Sequence, residues 1–268
     1  MGSDTKNTSA RARLVTDLAP ARWLEQGIGE LEMPKVFEAY ARVLHPALDQ
    51  SEQYVQWAKV ADWAGRDLHA RSDFAEISTP GPQGGTGDRP WDEPSEPGSF
   101  PLDLLPHLCE VLAGHTKTPG RCWFCLWDGF GWLNDEDEDQ SSSVVFAASA
   151  GDEPSSSPDA APDAQADADP DRLRLTFEGR LQDAPLIHLP TRDYYLLTGP
   201  LEAAYGLGAA TESYFFFPQS PNLFWPDDRA WCVATDIDRD STYVGGSAEL
   251  IRELVADERL EAFAIEAD

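Results

Sequence analysis

Three aspartates at alternate positions, Asp236, Asp238 and Asp240, have the spacing in this sequence that best fits metal chemistry. Side chains two residues apart on a strand share a face, so three carboxylates at a strand end could present oxygen ligands to Ca²⁺ or Mg²⁺. The segment "DIDRDSTYVGGS" begins like a calcium-binding loop, but its sixth residue is Ser241 instead of glycine and its twelfth is Ser247 instead of glutamate. We therefore favour solvated carboxylates over a metal site and predict no bound metal.

Two cysteines in "RCWFCLW" (121–127) have the spacing of a zinc knuckle, and His107, Cys109 and His115 precede them as further donors. The segment is apolar throughout, which favours a buried strand. Alternation along such a strand places Cys122 and Cys125 on opposite faces, where they cannot share a metal. We predict neither zinc nor a disulfide at these cysteines.

The segment "SPNLFWPDDRAWCVATD" contains the candidate recognition surface. Its prolines indicate a rigid, non-helical loop, and a loop that exposes aromatic side chains is a natural binding surface. The residues that would bind a partner are Phe224 and Trp225, with Asp227, Asp228 and Arg229 beside them. If this interpretation is right, replacing Trp225 should cost little stability. The alternative is that these aromatics fold back onto the core, as large aromatic side chains usually do.

Other motifs carry less information. "YGLGAATES" lacks the third glycine of a nucleotide-binding loop, and Gly245 and Gly246 precede a predicted helix whose first amides could take a small anion. The helix start explains these glycines equally well. The sequence contains no G-x-S-x-G, H-E-x-x-H or P-loop motif, and its five histidines are scattered. We therefore assign no catalytic residue and no cofactor.

The charge of the chain limits its partners. Its 268 residues include 48 acidic and 20 basic residues, which gives a formal net charge of −28. Such a field repels a phosphate backbone, so nucleic-acid binding is disfavoured, while a basic protein partner is compatible with it. No apolar run reaches the length of a membrane span, and "MGSDTKNTSARARLV" lacks the apolar region of a signal peptide. We expect a cytoplasmic protein that does not associate with membranes, and its oligomeric state stays open.

Composition and periodicity divide the chain into one domain with three irregular segments. Residues 1–16 are predicted to be a disordered tail, 79–99 a Pro/Gly-rich loop, and 134–171 a disordered acidic loop with twelve acidic residues and no basic one. We expect residues 17–268 to form a single α+β domain, a mostly antiparallel sheet with a few packed helices. The predicted helices lie at 17–27, 51–66, 101–116 and 247–257, and the predicted strands at 37–46, 121–127 and six places after residue 171, among them "SYFFFP".

The stretches "FEAYARVLHP", "HTKTPGRCWFCLWDGFGW", "GPL" and "SPNLFWPDDRAWCVATDIDRDSTYVGG" together resemble a family of uncharacterised, mostly actinobacterial proteins. The resemblance covers most of the chain outside residues 1–16 and the acidic loop, and the last stretch is its most specific part. It implies one compact domain and a bacterial, cytoplasmic setting. It implies no activity, substrate, cofactor or catalytic residue.

These observations favour a non-enzymatic binding or regulatory module, of which an immunity-type protein is one form. One alternative is a hydrolase or transferase that uses the aspartate cluster on a divalent metal. Another is a structural or accessory protein without a ligand.

Deletion of residues 135–170 should leave the thermal unfolding midpoint of the protein nearly unchanged. The run has little apolar surface to bury, and changing the length of a loop alters its closure entropy only slightly. Thermal unfolding of the deletion variant beside the full chain measures this. Loss of the cooperative transition would show that the run is part of the folded core.

Overall fold

A computed structural model describes residues 11–29, 31–134, 174–211 and 215–266. Its centre is a nine-stranded sheet, accompanied by a three-stranded and a two-stranded sheet. The strands are β1 (Arg13–Leu14), β2 (Ala39–Leu44), β3 (Ala47–Leu48), β4 (Tyr54–Val55), β5 (Cys122–Trp127), β6 (Arg174–Leu175), β7 (Leu186–His188), β8 (Asp193–Gly199), β9 (Gly208–Ala210), β10 (Phe216–Pro218), β11 (Leu223–Pro226), β12 (Cys232–Ala234), β13 (Ser241–Gly246) and β14 (Ala262–Ile265).

The large sheet runs in the order β1-β8-β5-β11-β12-β13-β2-β14, with β7 also paired to β8, and all of these pairings are antiparallel. Strand β2 belongs to the first fifth of the chain, but it lies between β13 and β14, which belong to the C-terminal part of the chain. The described residues therefore form one mixed α+β body, as the sequence predicted. The acidic segment predicted to be disordered lies, apart from Asn134, outside the described residues.

Both faces of the large sheet are buried, which confirms the alternation read from "RCWFCLW". Cys122 and Phe124 lie in the core on one face, and Trp123 and Cys125 lie in the core on the other. Strands that are covered on both faces read as continuous apolar runs. This explains why β5 shows no polar alternation in the sequence.

Short helices cover the two faces. One core cluster lies under α3 and α5 and the 3-10 helix that follows β8, and the opposite cluster lies under the 3-10 helix near the N-terminus. A third cluster packs α1 and α2 beside the end of β2. The helices are α1 (Trp57–Ala64), α2 (Phe74–Ile77), α3 (Leu105–Gly114), α4 (Gly131–Asn134) and α5 (Ala248–Ala256), and the 3-10 helices are Ala19–Gln26, Leu181–Asp183 and Leu201–Gly206. No helix of the described residues is long and apolar enough to cross a bilayer.

The helix predicted for 51–66 begins later than expected. The Asp49 carboxylate accepts hydrogen bonds from the amides of Ser51 (2.8 Å) and Gln53 (3.0 Å), which fixes a turn. The chain then forms β4 before α1 starts at Trp57, so Tyr54 lies on a strand instead of the helix. A side chain that captures nearby amides competes with the helix in this way.

The tail predicted for residues 1–16 is shorter than expected. Residues 1–10 lie outside the described residues, but Arg13 and Leu14 pair with Thr198 and Leu197 at the edge of the large sheet. The backbone of Leu14 also donates a hydrogen bond to the Glu178 carbonyl oxygen (2.8 Å). An edge strand needs only a free neighbour to pair with, so two residues without apolar periodicity can still become ordered.

A buried polar chain links the sheet to the Pro/Gly-rich segment. His45 is fully buried, with Nδ1 3.0 Å from the Glu96 carbonyl oxygen and Nε2 2.9 Å from the Thr242 hydroxyl, which in turn contacts the Thr235 hydroxyl at 2.7 Å. A carbonyl can only accept, so Nδ1 carries the proton and Nε2 accepts from Thr242. Burial lowers the pKa of His45 from 6.5 to about 4, since the charged imidazolium is poorly solvated there.

Protonation of His45 should therefore weaken the fold in mild acid. The pKa of His45 is lowered in the folded state, so the neutral imidazole contributes to the free energy of unfolding, and this contribution is fully present above pH 6.5. The contribution falls by about 3 kcal/mol as the pH drops from 6.5 towards 4. We expect His45→Gln to be less stable than the wild type at pH 7.5. Its free energy of unfolding should nevertheless decline less between pH 6.5 and 4.5, as measured by urea titration. The wild type and His45→Gln share all other titrating groups. If their free energies of unfolding declined in parallel with pH, protonation of His45 would not be the cause of the decline.

Candidate functional site

The three aspartates of the candidate metal site do not converge. Asp236 and Asp238 both contact the guanidinium of Arg192, at 3.2 and 2.6 Å, while Asp240 pairs with Arg42 at 3.4 Å. The prediction that the three aspartates share one face of a strand is wrong, because β12 ends at Ala234, before the first of them. The chain then turns, and the Asp236 carboxylate accepts from the Asp238 amide at 2.8 Å. These carboxylates neutralise arginines and hold a turn in place.

The four cysteines are free and buried: Cys109 lies in α3, Cys122 and Cys125 lie on opposite faces of β5, and Cys232 lies in β12. Burial raises the pKa of the Cys122 thiol to about 12, and it also raises those of Cys109, Cys125 and Cys232. Buried neutral thiols are poor nucleophiles and poor metal ligands. Among the described residues, no three His, Cys, Asp or Glu side chains are grouped so that they could hold a metal ion.

The expected exposure of Phe224 and Trp225 is wrong. Both lie in β11, at the centre of the large sheet, and Trp225 has 0% of its surface exposed. Phe224 stacks on Phe124 at a centroid distance of 6.2 Å, and on the opposite face Trp225 meets Trp23 edge-on at 5.6 Å. The prolines in this segment suggested a loop, but β11 is a strand of only four residues that ends at Pro226. The stabilisation from burying the two rings is larger than the loss of the one backbone hydrogen bond that a proline cannot donate.

The polar residues of the predicted surface also have structural partners. Asp227 accepts from the Trp123 indole (3.0 Å), and Arg229 lies over the Trp23 ring at 5.5 Å instead of near Trp225. Asp228 accepts from the Lys117 amide (2.7 Å) and anchors the loop before β5. Burial raises the pKa of Asp228, but the hydrogen bonds that it accepts lower it further, so the net shift is downward.

Gly245 and Gly246 lie within β13 and are required for packing. A Cβ atom on Gly245 would come within 2.5 Å of the Phe37 ring, and one on Gly246 within 2.6 Å of Leu250. The cap of α5 is the Ser247 hydroxyl, which accepts from the Leu250 amide at 3.2 Å. The close approach of neighbouring side chains therefore accounts for both glycines.

A cleft of about 320 Å³ lies between α1, the β3–β4 hairpin and the start of α3. Two of its charged groups already have partners: the Glu261 carboxylate accepts from the Trp57 and Ala58 amides, and Arg259 binds Asp257 and Glu110. The cleft can hold a small molecule, but it presents no set of groups suited to catalysis. Its lining residues are Leu44, Pro46, Tyr54, Val55, Gln56, Lys59, Leu104, Arg259 and Glu261.

The most unusual surface feature is a run of three exposed phenylalanines. Phe215, Phe216 and Phe217 are exposed by 69%, 38% and 44%. The other exposed large hydrophobic side chains of the described residues, Val36, Tyr54 and Val255, are isolated from one another in the sequence. Scattered apolar residues are normal on a surface, whereas a contiguous patch indicates a contact site. We call Phe215–Pro218 the aromatic edge.

The aromatic edge belongs to the three-stranded sheet β10-β9-β6, in which β10 is an outer strand. The Phe215 carbonyl oxygen accepts from the Thr211 amide, and the Gln219 amide donates to Leu207, both at 2.9 Å. Backbone groups alternate sides along an antiparallel strand, so those of Phe216 and Pro218 point away from β9. Side chains alternate as well, and Phe215 and Phe217 therefore share one face while Phe216 takes the other.

The sequence contains a signal for this surface that is not one of the known site motifs. "SYFFFP" was predicted as a strand, but its aromatics occupy both faces and end in a proline, which is typical of an edge strand. Its partner β9 has the sequence Gly-Ala-Ala, which offers little side-chain surface to cover the rings. The small size of the neighbouring strand is a tertiary property that a single segment does not reveal.

No family model, no curated protein and no solved structure matches this chain.

Substitutions of aromatic residues should distinguish side chains that stabilise the core from side chains that lie on the surface. We expect Trp225→Ala to lower the free energy of unfolding by about 3–5 kcal/mol, because it empties a buried ring site. Phe217→Ala should change it by no more than about 1 kcal/mol, as for a surface substitution. Denaturant melts of the two variants provide the comparison. Equal destabilisation would mean that the aromatic edge supports the fold.

Proposed function

We propose that this chain is a non-enzymatic binding protein with a regulatory role, and that the aromatic edge is its recognition surface. The observation that carries the proposal is the exposure of three consecutive phenylalanines on an outer strand. Apolar surface in water is unfavourable by roughly 25 cal/mol per Å², and a partner that covers the rings removes that cost.

Burial elsewhere in the molecule supports this assignment. Large rings such as Trp57, Trp225, Trp231, Phe124 and Phe224 are fully buried, so the fold encloses its aromatics efficiently. Aromatic side chains are enriched at the centres of protein interfaces, where a few rings supply most of the affinity. An aromatic edge that the described residues leave exposed is therefore best explained by a contact with another molecule.

Within the described residues, the geometry gives the enzyme alternative less support. The aspartates that would hold a divalent metal neutralise Arg42 and Arg192, and the thiols are buried and protonated. In a structural protein without a ligand, nothing would offset the unfavourable exposure of the three rings to water. An immunity-type inhibitor, which covers a site on a partner protein, is one form of regulation that suits an exposed strand.

The setting is part of the proposal. We infer a bacterial protein of the mostly actinobacterial family that it resembles, acting in the cytoplasm on a protein partner. The net charge of −28 favours a basic partner over another acidic one and disfavours nucleic acid.

The proposal predicts that partner capture depends on the aromatic edge. Tagged wild-type chain and a Phe215→Ser/Phe216→Ser/Phe217→Ser variant would be used as baits in a lysate of the source organism, followed by mass spectrometry. We expect the triple variant to lose the partner that the wild type retains, because the apolar contact is removed.

A matched control is Val36→Ser/Val255→Ser, which removes two exposed apolar side chains elsewhere on the surface. It should retain the partner. Cooperative thermal unfolding must be preserved in both variants, which separates a lost contact from a lost fold. If wild type, control and triple variant retain the same proteins, the aromatic edge is not the recognition surface.

A further inference from the structure

The backbone of the aromatic edge limits the way in which a partner can lie on it. Of its outward-facing backbone groups, Phe216 offers an amide and a carbonyl, whereas Pro218 offers only a carbonyl because proline has no N–H. A long strand could therefore not continue the sheet over many residues. A short extended segment could form one two-bond pair with Phe216, and its side chains would meet the rings.

Arginine side chains cover several of the tryptophan rings of this protein. Five arginines lie over tryptophan rings at 5.1–5.5 Å from the centroid, in the pairs Arg42–Trp57, Arg89–Trp91, Arg121–Trp123, Arg192–Trp127 and Arg229–Trp23. Within the part of the chain that the structure describes, no such pair involves Phe215, Phe216 or Phe217. A cation over an aromatic ring at an exposed site strengthens binding by about two- to fivefold. These rings are suited to cations supplied by another molecule.

Charge favours the same partner. The chain has 28 more acidic than basic residues. A second copy of this chain would bring the same negative charge to the contact, whereas a basic segment would be attracted to it.

We propose that the aromatic edge binds a short extended segment of a partner protein that carries lysine or arginine at alternate positions. This inference rests on the proposed function and specifies the chemistry of the partner. One backbone pair at Phe216 positions the segment, and its cations lie over the Phe215 and Phe217 rings, which share a face. Alternate spacing is required because alternate side chains of an extended segment share a face.

The test uses three synthetic twelve-residue peptides, of alternating Lys–Thr, Glu–Thr and Leu–Thr, titrated into the full chain at 0.15 M salt by calorimetry. The variants are Phe215→Leu/Phe216→Leu/Phe217→Leu, which keeps apolar volume but removes the rings, and the Val36→Ser/Val255→Ser control. We expect one Lys–Thr peptide to bind per chain, and the leucine variant to weaken its binding by about five- to thirtyfold, since the two cation–ring contacts at Phe215 and Phe217 are lost. The control should bind like the wild type.

The remaining outcomes distinguish the inference from the proposed function. If the Lys–Thr peptide binds the wild type and the leucine variant equally, the attraction is general electrostatics and the inference is wrong. If the Leu–Thr peptide binds at least as well as Lys–Thr and loses affinity in the triple serine variant, the aromatic edge is a binding surface but its partner is apolar. Concentration-dependent dimerisation through the aromatic edge in size-exclusion chromatography would show a second copy as the occupant and would also overturn the inference.

Discussion

Burial of both faces of the nine-stranded sheet is the constraint on which the rest of the structure depends. A strand covered on both faces must place large apolar side chains in both directions, and β5 and β11 do so with Phe124, Phe224, Trp123 and Trp225. The same constraint removes the cysteines from solvent and raises the pKa of their thiols. The large sheet uses its aromatics for packing, and the surface that we propose for recognition is in the smaller sheet, where the side chains of β9 are too small to cover those of β10.

The fold class followed from patterns that are local in the sequence. Alternation in "RCWFCLW" predicted the faces of Cys122 and Cys125 correctly, and Ser247 predicted the start of α5. The site could not be found in this way. Phe224 and Trp225 are flanked by prolines and aspartates as a loop would be, and only the neighbours β5 and β12 make their segment a central strand. The aromatic edge, in contrast, was correctly predicted as a strand. Its exposure could not be predicted, because it depends on the small side chains of the neighbouring strand β9.

Arginine connects the packing to the proposed recognition. The chain pairs several of its few basic residues with its own tryptophans and carboxylates, as Arg192 does with Trp127, Asp236 and Asp238. The composition as a whole has a large excess of acidic residues. The proposed contact uses the same combination of ring and cation, with the cation supplied by a partner that the acidic composition would attract.

Amide hydrogen exchange measured by NMR, with and without the Lys–Thr peptide, shows directly whether a segment pairs with the backbone of Phe216. The Phe216 amide points away from β9 and should exchange rapidly in the free protein and much more slowly in the complex. The Phe217 amide, which faces β9, should change little, and so should the amides of β11. Protection that appears instead around the cleft between α1 and α3, with Phe216 unaffected, would contradict the account.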